Sequence, residues 1–417
     1  MSFDAEAYLN SLEPIGWKFG LERMTLLSAE LGRPQDSFRS IHVVGTNGKT
    51  SVTRMTAAVL SAHGLKTGCL VSPHLSHWSE RVLVDGENPE ASAFGDAVRR
   101  IAEAAEAVDG RLEPTESLTQ FEISVAAGFL ALADAGVDVG VIEAGLGGRL
   151  DATNSIESTI TVLTSIGLDH TEWLGGTEIQ IAVEKLAVLR EGTVLVLGPV
   201  SAEVREIALA TAGERDCRVV ESDGSLPAGV EPVSPALYQR FNFALAVAAS
   251  EAYLAEERPD LILETGMLQT AARSASVPGR LEQVSQIPPV FVDVAHNRPG
   301  AAALAASVPA VAQGRPVIAV IGILDDKDAE GILAELAPVV DCAVMSALPP
   351  EALANSARPG ARGWEPDLLR QIASQKGLEA ESFPVPERAL SRAKELAKER
   401  GGVVLVAGSH YLLSPNS

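Results

Sequence analysis

Cysteine is scarce in this sequence of 417 residues: Cys69, Cys217 and Cys342 are far apart, odd in number and form no CxxC pair. That excludes a disulfide framework and fits a reducing compartment. Aromatic residues make up only 4%, and basic residues are outnumbered so that the formal charge is −22. Such a surface repels phosphate backbones and anionic lipid, which argues against nucleic-acid and membrane-surface partners. An anionic substrate therefore needs a locally positive pocket. Long uninterrupted apolar runs are also missing. The most apolar stretch, Ile123 to Leu146, is broken by Asp134, Asp138 and Glu143, which fits a buried helix and strand and not a membrane span. The opening MSFDAEAYLN carries acids where an export signal needs basic residues ahead of an apolar stretch, so a cytoplasmic protein is expected. Neither an internal repeat nor a low-complexity tail is present.

What is there is α/β alternation, in a chain longer than one core usually serves. Ser40-Ile-His-Val-Val is a short apolar run ending at Gly45, and Val52, Met55, Val59 and Leu60 follow at helical spacing before Gly64. This reads as strand, glycine turn, helix and C-cap. Strands are expected again at Thr67–Val71, Val137–Ile142, Thr159–Ile166 and Val194–Leu197, with helices around Phe94–Ile101 and Phe121–Leu132 and a helix running to Leu189. Strands alternating with helices predict a large parallel, doubly wound sheet. From about Thr270 the stretch AARSASVPGR reads as a linker. Beyond Pro278, strands at Val290–Val292, Val317–Ile323, Cys342–Met345 and Val403–Val406, with helices such as Asp328–Leu336 and Glu387–Lys398, make a second, smaller α/β domain. The expected division is 1–275 and 276–417, with a cleft between the two as a place for ligands.

Four constellations carry chemistry. Gly45-Thr46-Asn47-Gly48-Lys49-Thr50-Ser51 places small residues, a helix N-terminus and a lysine where a phosphate loop needs them, although Val43 stands at the position of the first glycine of GxxxxGK[ST]. Glu143 ends a strand and precedes Gly145-Leu-Gly-Gly-Arg-Leu-Asp-Ala-Thr-Asn154. A carboxylate there faces the crevice where such sheets bind ligands and offers magnesium a hard oxygen, although an acid in a loop is as often simply solvated. Ile166-Gly-Leu-Asp-His170 leads to Glu184 and Lys185, where a structural histidine and a solvated lysine are the ordinary alternatives. Across the linker, Arg280 offers a guanidinium for γ-phosphate charge, and Asp293, in Asp293-Val-Ala-His-Asn297, a partner for a nucleotide hydroxyl or a phosphate-bound lysine. A surface arginine and a helix N-cap are the alternatives to those roles, and Lys327 is a similar case.

Taken in order, Phe19-Gly-Leu-Glu-Arg23, Ile41 to Lys49, Ser72-Pro-His-Leu75 with Glu80-Arg81-Val82, Glu143 to Asn154, Ser165 to Leu174, Pro278 to Glu282, Asp293 to Asn297 and Gly408-Ser409 resemble one family, the folylpolyglutamate synthase and dihydrofolate synthase branch of the Mur ligases. The resemblance implies a P-loop-type N-terminal domain that carries ATP and the pterin, and a C-terminal domain that closes over the nucleotide. Gly45 to Ser51 would hold the ATP phosphates, and Asn242, Arg280 and Asp293 would be further nucleotide contacts. Ser72, Glu143 and His170 would ligate Mg²⁺ together with Lys185, the lysine this superfamily carbamylates, with K⁺ as a further ion. Thr119, Phe121 and Asp151 match pterin contacts, and His296 and Ser409 would place the incoming glutamate. Two departures stand out: Thr50 occupies a position where glycine is common, and Trp17-Lys18-Phe19 lacks an aspartate that dihydropteroate-using members can carry.

The resemblance implies ATP-dependent addition of L-glutamate to the carboxylate of a folate or dihydropteroate through an acyl phosphate, by a monomer. A Mur-type ligase acting on a cell-wall precursor would need a separate N-terminal domain, for which a phosphate loop at residue 45 leaves no room. A nucleotide-hydrolysing regulatory protein and a non-catalytic folate binder are the readings from other classes.

Overall fold

A computed structural model of the chain describes residues 3–12, 20–74, 76–113, 116–354 and 360–413. Trp17, Lys18, Phe19 and Leu75, which belong to motifs singled out above, lie outside the described residues. The chain divides into two compact units, residues 1–233 with 240–276, and residues 234–239 with 277–417.

The first unit is built on seven strands: β1 Arg39–Val44, β2 Thr67–Leu70, β3 Val82–Val84, β4 Val139–Glu143, β5 Ser158–Leu163, β6 Val194–Leu197 and β7 Arg218–Glu221, in the order β3-β2-β4-β1-β5-β6-β7. All neighbours run parallel except β3, which pairs antiparallel with β2 at the edge. β1 is buried along five of its six residues and β4 along all five, because helices cover both faces and leave no polar side to the strand. The helix Lys49–Ala62 returns the chain from β1 to β2, and the helices Ala91–Asp109 and Gln120–Ala135 precede β4. Chain order reverses at β1, which lies between β4 and β5, so the carboxyl ends of these three strands form the switch point at which parallel sheets bind ligands.

The second unit has six strands: β8 Arg280–Gln286, β9 Pro289–Asp293, β10 Val317–Ile321, β11 Cys342–Ser346, β12 Glu379–Phe383 and β13 Val403–Ala407, in the order β12-β11-β10-β13-β9-β8. Only β8 is antiparallel, joined to β9 as a hairpin. β10, β11 and β13 are buried throughout. The helices Arg298–Ala312 and Ala329–Leu336 pack their apolar residues into one core with Ile321, Met345 and Leu405.

Three sequence expectations change. The linker reading of AARSASVPGR fails over its first half, because Thr265–Ser274 is a helix with Ala271 and Ala272 buried. The helix expected to reach Leu189 stops at Leu186, with Ala187 as its cap. β3, β7, β8 and β12 were not anticipated. Among the described residues no helix is long and apolar enough to cross a membrane.

Candidate functional site

The loop between β1 and the helix Lys49–Ala62 is fastened to the chain just after β5. The Thr46 amide donates to the Ser165 carbonyl at 2.8 Å, and the Asn47 amide donates to Ser165 Oγ at 3.1 Å. Thr164 Oγ1 in turn donates to the Asn47 carbonyl at 2.7 Å, and Thr46 Oγ1 to that of Gly167 at 3.1 Å. Gly48 caps the helix at φ 85°, and a Cβ there would stand 2.7 Å from Oδ1 of Asn242. The left-handed turn and the close approach of Asn242 both require glycine. Asn242 therefore lies against the phosphate-type loop although nearly 200 residues of sequence separate them. Lys49 Nζ curls back to the Thr46 carbonyl at 3.3 Å, and Ser51 is buried with its Oγ unpartnered. With Gly45 at the end of β1, the segment Gly45–Ser51 is one braced loop opening a helix N-terminus, a setting that favours anions.

Glu143, at the end of β4 and only 4% exposed, faces this loop. Thr50 Oγ1 lies 3.0 and 2.9 Å from its two carboxylate oxygens, and the Ser72 amide donates to Oε2 at 3.1 Å. The Glu143 carboxylate and the Thr50 hydroxyl are hard oxygens beside a phosphate-type loop, of the kind that suits Mg²⁺, which takes few protein ligands and completes its shell with phosphates and water. Among the described residues no three His, Cys, Asp or Glu side chains gather into a group that could hold a metal ion.

Lys185 is buried in the last turn of the helix Glu178–Leu186. Burial first, and the neighbouring Lys49 cation second, push its amine down to about 7, against the pull of Asp169, Asp151 and Glu184. His170 sits in the left-handed region and caps the short helix Thr171–Leu174, its Nε2 3.8 Å from Asp169 Oδ1. The 164–170 segment thus braces the phosphate-type loop with its first residues and carries Asp169 and His170 beyond them.

On the other side of Glu143, Asp151 accepts from the amides of Leu146 at 2.7 Å and Thr153 at 3.0 Å and from the Thr153 hydroxyl. Burial raises its carboxyl above the usual range against these bonds. Thr153 Oγ1 is bonded in turn to Nε2 of His42 at 3.0 Å, a fully buried imidazole pushed down to about 3 and so neutral. A Cβ on Gly145 would stand 2.3 Å from Phe121 Cζ and 3.1 Å from Asp151 Oδ2, so glycine lets the ring and the carboxylate meet. Gly145→Ala is expected to displace Phe121 and cost about 1–3 kcal/mol, read as a lower urea midpoint at unchanged slope. Thr119 has a structural task here: it caps the helix Gln120–Ala135 in a reciprocal box with Glu122.

The second unit brings together its own group. Asp293, 3% exposed at the end of β9, accepts from the Leu281 amide at 2.8 Å, the Ala295 amide at 2.8 Å and the Tyr238 hydroxyl. The carboxylate thereby fixes Leu281 at its positive φ of 49° and shapes the turn that starts β8. Arg280 pairs with Asp293 across that hairpin, and its Nη1 donates to the Gly279 carbonyl. His296 Nδ1 is bonded to the Val294 carbonyl at 2.9 Å, Asn297 caps the helix Arg298–Ala312, and the Gly408 amide donates to the Ala295 carbonyl at 3.0 Å. This last bond brings the loop of Ser409, which is 1% exposed, beside that of His296. Lys327 is 8% exposed, 3.8 Å from Asp326.

Tyr238, Asp169 and the cluster of half-buried His74 with buried Trp78 and Arg81 went unassigned in the sequence, where nothing but position in a matching motif marks His74 and Arg81.

Two family models match in succession, the Mur ligase middle domain over residues 43–220 and the Mur ligase glutamate ligase domain over 279–410. The dihydrofolate synthase/folylpolyglutamate synthase of Mycobacterium tuberculosis is 35% identical over 389 residues, covering 84% of this chain and 79% of its own length. The solved M. tuberculosis folylpolyglutamate synthase complexed with ADP and AMPPCP superposes with a TM-score of 0.87 at 30% identity, covering 98% of this chain and 96% of that one. A bifunctional folylpolyglutamate synthase/dihydrofolate synthase with Mn, AMPPNP and L-glutamate bound gives a TM-score of 0.81 at 30% identity, over 98% and 96% of the two chains. On these matches this chain belongs to the folylpolyglutamate synthase/dihydrofolate synthase family of Mur-type ligases, enzymes that form a carbon–nitrogen bond.

Proposed function

We propose that this ligase uses ATP to activate the carboxylate of a dihydropteroate or a reduced folate and couples it to L-glutamate. The observation that carries the reading is the position of Glu143, in one unit between the phosphate-type loop at Thr50 and the pocket edged by Phe121. A carboxylate is inert toward amines. Its oxygen attacks the γ-phosphorus of ATP, the bond to the bridging oxygen breaks, and ADP leaves. The amine of glutamate then adds to the acyl carbon of the acyl phosphate, inorganic phosphate departs, and the amine proton passes to solvent. The transfer needs positioning and charge neutralisation more than covalent help, and Gly45–Ser51, with Lys49, supplies both. Asn242 joins the nucleotide site through Gly48. Residues 276–417 are proposed to contribute Arg280 and Asp293 to the nucleotide and His296 and Ser409 to glutamate. Thr119, Phe121 and Asp151 are proposed for the pterin.

Ser72, Glu143 and His170 would hold Mg²⁺, which when bound neutralises phosphate charge. Lys185 is proposed to carry a carbamate. A neutral amine is required to attack CO₂, forming the N–C bond and releasing one proton, and an amine held at about 7 is substantially neutral in the cell. The product is an anion where a cation would repel the metal. Carbamylation, read as ¹³C-bicarbonate label retained on Lys185, is expected to fall steeply below pH 7, where the amine is protonated. Label independent of pH, or none at pH 8, refutes it.

The test of the function is ADP release by the full chain with ATP, Mg²⁺ and L-glutamate, using dihydropteroate or tetrahydrofolate as acceptor. Glutamate-dependent release with at least one acceptor is expected. Release that ignores glutamate identifies a nucleotide hydrolase instead.

A further inference from the structure

Arg81 is a buried cation that the scheme above leaves without a task. It closes the short turn Trp78–Arg81 ahead of β3 and is 6% exposed. Its Nε donates to His74 Nδ1 at 2.9 Å, its Nη1 to Ser124 Oγ at 3.4 Å, and its guanidinium carbon lies 4.2 Å from the centroid of the Trp78 ring. The His74 ring in turn lies 4.4 Å from that of Trp78. These contacts fix the plane of the guanidinium and use two of its five N–H donors. No carboxylate among the described residues forms an ion pair with it, and the salt bridge a buried arginine ordinarily needs is missing. Burial lowers it to about 10, which leaves it charged at neutral pH.

The same side chain lines a small pocket with Ser72, Phe121, Ser124, Glu143 and Thr153. Glu143 exerts the one favourable charge effect on it, yet the carboxylate oxygens of Glu143 are bonded to Thr50 and the Ser72 amide. An anionic acceptor approaching Glu143, in a chain of charge −22, meets repulsion unless a cation faces it. We propose that Arg81 is an acceptor-binding residue, a preset guanidinium that receives the acceptor's carboxylate in the pocket between Phe121 and Glu143. His74 acts through it: accepting at Nδ1 keeps that ring neutral, with its proton on Nε2, and holds the fork in place. The inference rests on the proposed carboxylate acceptor and adds the group that selects it.

The experiment compares Kd of the full chain for dihydropteroate and for its primary amide, which keeps the ring and loses the charge, by titration calorimetry. Losing a charge-assisted fork weakens binding by roughly 10–100-fold. Arg81→Gln is expected to weaken dihydropteroate by that factor and the amide by less than about 3-fold, raising KM for acceptor while KM for ATP holds. Arg81→Lys, which keeps the charge in the fold, is expected to lose less than Arg81→Gln for the acid and nothing for the amide; it stands in should Arg81→Gln misfold. Equal losses for acid and amide, or none for either, overturn the proposal. Wild-type protein that releases no ADP with any acceptor sinks the proposed function itself, whereas active wild type with an indifferent Arg81 variant sinks this inference alone.

Discussion

Lys49→Met is expected to lower kcat/KM for ATP by about 10³-fold, roughly 4 kcal/mol of transition-state stabilisation, with acceptor affinity unchanged. The lysine begins the helix Lys49–Ala62, and its ammonium donates to the neutral carbonyl of Thr46, a partner much weaker than a triphosphate. Turning from one to the other therefore costs little. Methionine keeps the length of the stem and the helix propensity while removing the charge. A second effect runs through Lys185, because Lys49 is the largest charge holding that amine down. Removing it raises the Lys185 amine toward its ordinary value, protonates it at pH 7 and reduces carbamate. Single-turnover ADP formation measures the first effect and ¹³C labelling at pH 7 the second. A variant within 10-fold of wild type in ADP formation would show that the loop does not grip the transferred phosphate.

The parts of this molecule that the sequence revealed are those in which one physical demand acts on a continuous segment. β1, β4, β10 and β13 lie between helices, so each is buried and mostly apolar on both faces and stood out as a short apolar run, with polar residues such as His42 and Glu143 set within it. The loop at Gly45–Ser51 is legible for a similar reason, since strand, small residues and lysine must follow one another without a gap. Edge strands escape this rule. β12 reads Glu-Ala-Glu-Ser-Phe and β8 is largely polar, because each has a neighbour on one side only. The stretch after Thr270 misled because alanine and arginine favour helix, and Pro278 marks only the end of the segment. Residues 234–239 belong with the second unit although the last three of them begin the helix Leu237–Glu257, which no local pattern announces. The same holds for pairings across distance: Gly48 with Asn242, Tyr238 with Asp293, and Arg23 with Glu122, each meaningful only once the fold brings them together.

That last pair leads to the largest stability effect expected in the chain, a loss of about 3–5 kcal/mol in Glu122→Ala. Arg23 Nη2 lies 3.0 Å from Glu122 Oε1 and its Nε donates to Oε2 at 3.2 Å, with side chains only 6% and 5% exposed. Removing the carboxylate takes the salt-bridge partner from a buried guanidinium. It also breaks the cap of Gln120–Ala135, in which the Thr119 amide donates to Glu122 Oε2 at 2.8 Å while Thr119 Oγ1 accepts from the Glu122 amide, worth about 1 kcal/mol. Glu122→Gln keeps an acceptor for both donors and should fall between the two. Replacing both partners by apolar residues, Arg23→Met with Glu122→Leu, should recover most of the loss, because neither charge is then left without its counterpart. Urea unfolding of the wild type, Arg23→Met, Glu122→Leu and the double variant closes the cycle that gives the coupling energy. Since the same helix presents Phe121, the single variant should also raise KM for the acceptor while that for ATP stays put. A Glu122→Ala loss below about 1 kcal/mol would mean that Arg23 finds water or another acceptor on its own, and the pair would then not be what holds this helix against the N-terminal segment.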